Sequence, residues 1–71
     1  MNDHPILKIA VLVMGDKAIQ CTIKELSDTS ATLEVPNAVS IPENFDLVID
    51  GIRRPCHTVL KSHREILVDF D

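Results

Sequence analysis

A chain of 71 residues with a net charge of −4 makes one domain, residues 1–71, and lacks the basic face from which most nucleic-acid affinity comes, which excludes DNA and RNA as partners. Arginine occurs only at 53, 54 and 64, with no aromatic residues interleaved as stacking platforms. Two cysteines are too few for a disulfide framework, no basic leader precedes an apolar stretch, and the longest apolar run, 6–14, is broken by Lys8 and too short for a membrane span, so the expectation is a cytoplasmic protein with reduced thiols.

Along the chain the apolar residues recur with period two, the signature of strands half buried in a sheet. The first predicted strand covers 6–14. Gly15-Asp16-Lys17 turns the chain into a second strand, 18–24, where Ile19, Cys21 and Ile23 alternate with Gln20, Thr22 and Lys24. The polar stretch Ser27-Asp28-Thr29-Ser30 then leads to a third, 30–35, with Ala31, Leu33 and Val35 on one face. Pro36-Asn37 breaks that strand, and Pro42 with Glu43-Asn44 suits a turn or one short helical turn before a fourth strand, 45–50. Asp50-Gly51 is a strong two-residue hairpin signal, because a type I′ turn needs positive φ at both residues. It leads into a fifth strand, 52–61, and a bend at Ser62-His63 precedes the sixth, 64–70. Pro55 lacks an N–H and belongs at an edge or a bulge of the fifth strand.

No window carries the 3.6-residue stripe of an amphipathic helix, and six short strands must close upon themselves or expose edges. The expected fold is all-β, a small six-stranded antiparallel β-barrel. With two Phe and no Trp or Tyr its core is aliphatic. So small a core rarely yields more than about 3–5 kcal/mol. Strand one stands apart: Leu7, Ile9, Val11 and Val13 fill one parity, while Ile6, Ala10, Leu12 and Met14 nearly fill the other. A protein partner, or self-association through residues 6–14, is the expectation that follows, set against cover by the chain's own termini.

Three segments, CTIKELSDTSATLEVP (21–36), IPENFDLVIDG (41–51) and RRPCHTVLKSHREILVDF (53–70), resemble in order and spacing the PilZ domain, a six-stranded barrel that serves bacteria as a receptor for cyclic diguanylate. The resemblance covers nearly the whole chain. It implies a ligand gripped by an R-x-x-x-R motif before the first strand and by a D-x-S-x-x-G turn. On this sequence the turn motif falls on Glu25, Ser27 and Ser30, with Ser27 kept, and the arginine motif falls on His4 and Lys8, neither of which is arginine. Leu67 stands where the family often has Gly in its last strand. Arginine presents a planar fork to two phosphate oxygens or to guanine O6 and N7; lysine is a compact point charge, and an unperturbed imidazole is mostly neutral at pH 7. Each bidentate contact is worth about 1–3 kcal/mol, so losing two weakens binding roughly 10²- to 10⁴-fold.

Other constellations are weaker. Cys56-His57, with Cys21, His4 and His63, invites a metal reading, but neighbours in a strand point to opposite faces and no C-x-x-C or H-x-x-x-H spacing exists, so no metal is expected. A Cys nucleophile with a His base lacks an oxyanion loop or paired carboxylates, which argues against an enzyme. Arg53-Arg54 is the one basic cluster, read either as a solvated edge or as a contact for an anion or acidic partner. The expectation is therefore a divergent signalling module of PilZ type without cofactor, its affinity for cyclic diguanylate weak or lost, acting through protein contact. Two alternatives stand beside it: an active receptor for that nucleotide, using His4, Lys8, Glu25, Ser27 and Ser30, and a structural SH3-like barrel unrelated to nucleotides.

Overall fold

The computed structural model describes residues 8–71. Six strands follow in chain order: β1 (Lys8–Met14), β2 (Lys17–Leu26), β3 (Ser30–Glu34), β4 (Asn44–Ile49), β5 (Ile52–Lys61) and β6 (Glu65–Phe70). They close into an antiparallel barrel in the order β1-β2-β3-β6-β5-β4, so every strand has two neighbours and no long edge is left to pair with another chain. The all-β, six-stranded barrel expected from the alternation is the fold observed.

The alternation sorts residues as a half-buried sheet requires. Ala10 and Leu12 of β1, Cys21 and Ile23 of β2, Ala31 and Leu33 of β3, Phe45, Leu47 and Ile49 of β4, Cys56 of β5 and Ile66 and Val68 of β6 are buried, and among the described residues no polar or charged residue is buried with them. Register joins them across strands. Leu47 lies opposite Leu12, Ile23 opposite Leu33, and Leu33 opposite Ile66. Val35, Ala38 and Ile41, from the β3–β4 connection, complete the core cluster.

The Asp50-Gly51 hairpin is observed with φ of 54° and 81°, both in the left-handed region that a type I′ turn demands. Three local expectations need correction. The short helical turn falls at Ala38–Ser40 rather than around Pro42, because the Asn37 side chain caps it by accepting from the Val39 N–H at 3.2 Å. Strand β2 runs on to Leu26 because a bulge at Lys24 shifts the register between Ile23 and Glu25. Pro55 occupies neither an edge nor a bulge: it pairs in register with Asp46, while the bulge of β5 lies between Thr58 and Leu60. Its carbonyl accepts from the Asp71 N–H at 3.0 Å, so its nitrogen also faces the end of β6, where the ladder needs no further donor.

In β1 the inward parity is Ala10 and Leu12. Ile9, Val11 and Val13 therefore face outward, Ile9 with 57% of its surface exposed. The residues of the first predicted strand before Lys8, Ile6 and Leu7, lie outside the described residues, as does His4. Among the described residues no helix is long and apolar enough to cross a membrane.

Candidate functional site at one barrel end

Antiparallel closure gathers six strand termini at one end: the start of β1, the end of β2, the start of β3, and the β4, β5 and β6 termini near Ile49, Ile52 and Phe70. The turn at 27–29 and the Asp50-Gly51 hairpin therefore meet there, although twenty residues separate them. Between them opens a pocket of about 560 Å³ lined by Leu26, Ser27, Asp28, Ile49, Asp50, Ile52 and Arg54.

The turn itself is held by its own polar groups. The Ser27 N–H donates to the Ser30 carbonyl at 2.8 Å, and Ser27 Oγ accepts from the N–H groups of Ser30 at 3.1 Å and Thr29 at 3.3 Å. The two hydroxyls, Ser27 Oγ and Ser30 Oγ, lie 3.1 Å apart within hydrogen-bond reach. A serine oxygen that bonds the backbone two and three residues on is a standard way to close a turn without glycine. No residue from 27 to 30 has positive φ, so Ser30 sits without strain where the resembled motif has Gly. Glu25 belongs to β2, opposite Thr32, with its side chain exposed on the outer face.

The cations are engaged nearby. Lys8 Nζ donates to Asp50 Oδ2 at 2.5 Å, across from the hairpin. Arg54 has the inward parity, opposite buried Leu47, and at the barrel end its guanidinium lies 3.8 Å from the Phe70 ring centroid. Its Nη2 also reaches the Asp28 carbonyl at 3.4 Å. Arg53 points outward instead, with Nε on Asp46 Oδ2 at 2.7 Å. The two arginines are thus divided between the barrel end and the outer wall and do not act as one cluster.

Cys56 is buried while neighbouring His57 faces outward, its Nδ1 2.7 Å from Asp71 Oδ1. Burial pushes the Cys21 thiol up to about 11 and, with Asp71 and Asp46 adding to the effect, the Cys56 thiol up to about 12. Both are apolar core groups at neutral pH and poor nucleophiles. Among the described residues no three His, Cys, Asp or Glu side chains gather to hold a metal ion.

Sequence reasoning identified Lys8, Ser27 and the arginines but missed Asp50, Phe70 and the apolar lining of Leu26, Ile49 and Ile52. In the sequence Asp50 reads only as a turn residue; its charge opposite the start of β1 is fixed by the β1–β4 register. Phe70 meets Arg54 because Cys56 pairs with Phe70 on β6 and with Phe45 on β4, a relation that no local pattern carries. The chain matches no protein-family model, no curated protein and no solved structure.

Proposed function

We propose that this chain is a divergent signalling module of PilZ type, non-enzymatic and cytoplasmic, in which affinity for cyclic diguanylate is weak or lost and the barrel works by contact with protein. The observation that carries this reading is the charge of the barrel-end pocket. Two carboxylates, Asp28 and Asp50, line it against one guanidinium, and that guanidinium is already stacked on Phe70. With Lys8 paired to Asp50 at 2.5 Å, the charges described at this end balance, so a ligand with two phosphodiester charges finds no net positive field there, and Lys8 offers it a single ammonium in place of a fork. The turn hydroxyls of Ser27 and Ser30 are spent on closing their own loop.

The reading is tested by titrating the isotope-labelled chain with cyclic diguanylate and following backbone amide resonances. The expected outcome is that shifts at residues 25–30, 50–54 and 8 are absent or still far from saturation with ligand in the hundreds of micromolar. Shifts confined to those residues that saturate with a dissociation constant of about 1 μM or tighter contradict it. They would support the second reading, an active receptor, which the pocket's size and its position beside Ser27 favour.

A further inference from the structure

We propose that the barrel-end pocket is a binding site for a small organic amine, one with an apolar body and a single protonated nitrogen. The proposal goes beyond the reading above and stands on the pocket itself, not on the family resemblance.

The lining sets the body of the ligand. Leu26 ends β2 opposite buried Ala31, and Ile52 opens β5 opposite buried Ile49, so the inward parity that fills the core runs on into the mouth. Polar side chains would serve as well where water reaches, yet these are aliphatic, and Ile52 keeps 63% of its surface exposed. Leu26, Ile49 and Ile52 line one recess of about 560 Å³. Small-molecule sites span about 300–1,000 Å³, are mostly apolar, and recur in the mouths of β-barrels. Arg54 adds a fixed wall, its guanidinium 3.8 Å from the Phe70 ring centroid and Nη2 3.4 Å from the Asp28 carbonyl.

Charge sets the head group. Lys8 and Asp50 neutralise each other at 2.5 Å, and Arg54 lies over its ring. The carboxylate of Asp28, which also lines the recess, has no ion pair among the described residues. Charges described at the mouth sum to zero, so the unpaired carboxylate and the field of the whole chain decide. That field, from a net charge of −4, draws cations and turns anions away. A protonated amine donates to Asp28 while its body covers the aliphatic lining; a carboxylate or phosphate head can do only the second. Because Asp28 is exposed, the advantage of the charge is modest, up to about fivefold in affinity.

Hexylamine, hexanol and hexanoate share one body and differ in the head. Each is titrated at pH 7 into the full methyl-labelled chain to about 20 mM, the range in which such small ligands bind. Saturable shifts are expected at the Leu26, Ile49 and Ile52 methyls, with hexylamine about two- to fivefold tighter than hexanol and hexanoate weakest. Asp28→Asn should remove the lead of the amine and leave hexanol unchanged, while Ile52→Ser should weaken all three about tenfold. Both positions are exposed, so neither change opens the core. Salt gives the same test without a variant: between about 0.02 M and about 0.5 M the three affinities should converge. No saturable shift at these methyls, hexanoate binding as tightly as hexylamine, or an amine preference that survives both Asp28→Asn and high salt overturns the proposal. Tight binding of cyclic diguanylate beside the expected hexyl series would refute the functional reading and leave this one standing; a failed series with no nucleotide binding would do the reverse.

Discussion

Thr58 illustrates how single side chains set the margin of a barrel this small. It pairs with buried Val68, and its hydroxyl is buried without a hydrogen-bond partner among the described residues. An orphaned buried hydroxyl costs about 1–3 kcal/mol, while an apolar group of the same shape costs nothing comparable. Thr58→Val is therefore expected to stabilise the fold by about 1 kcal/mol, read as a higher urea midpoint at unchanged m-value. The two thiols make a second residue-scale prediction. Their folded pKa values, about 11 and about 12, lie above the ordinary thiol value of 9.0, so the fold favours the protonated form. Stability from these groups is complete below about pH 9 and is lost as the pH rises through the folded values, at up to about 1.4 kcal/mol per pH unit for each thiol. Denaturant melts of the Cys21→Ala, Cys56→Ala double variant should show lower stability at neutral pH but a flatter decline above pH 9. An equally steep decline would assign the alkaline limb to other groups.

Among the elements, the hairpin between β4 and β5 connects the turn chemistry to the barrel end. Gly51 has φ of 81° with open space where a Cβ would stand, so Gly51→Ala meets a backbone penalty and no clash. Its expected cost is about 1–2 kcal/mol in a thermal or urea melt. A neutral result would mean that the turn rearranges freely. The strands themselves were legible in the sequence, because alternation such as Ile19-Cys21-Ile23 or Phe45-Leu47-Ile49 follows from burying one face of a sheet. The errors have local physical causes. The Lys24 bulge restores the inward parity one residue late, so period two alone ended β2 too early. Asn37, not Pro42, places the helical turn, because its side chain caps Ala38–Ser40. Pro55 fits a paired strand because the end of β6, not an edge, lies beside its nitrogen. For β1, the sequence showed two apolar parities but not which was inward; the pairing of Leu12 with both Ile19 and Leu47 decides it.

At the scale of the molecule, closure of the barrel brings the 27–30 turn, the 50–51 hairpin and Arg54 together, and that convergence is the ground of the function proposed here. The turn's participation was legible from its serines, but the pocket was not, since its lining comes from β2, β4 and β5 and depends on every register around the barrel. With Asp50 paired to Lys8 and Arg54 lying over the Phe70 ring, the barrel end presents balanced, engaged charges and no free guanidinium fork among its described lining, which is the ground for the proposed weak or lost nucleotide affinity. Calorimetric titration of the intact chain with cyclic diguanylate puts this to the most direct test. The account predicts no measurable heat of binding with ligand in the hundreds of micromolar. A saturating isotherm with a dissociation constant of about 1 μM or tighter, near −8 kcal/mol, would contradict it.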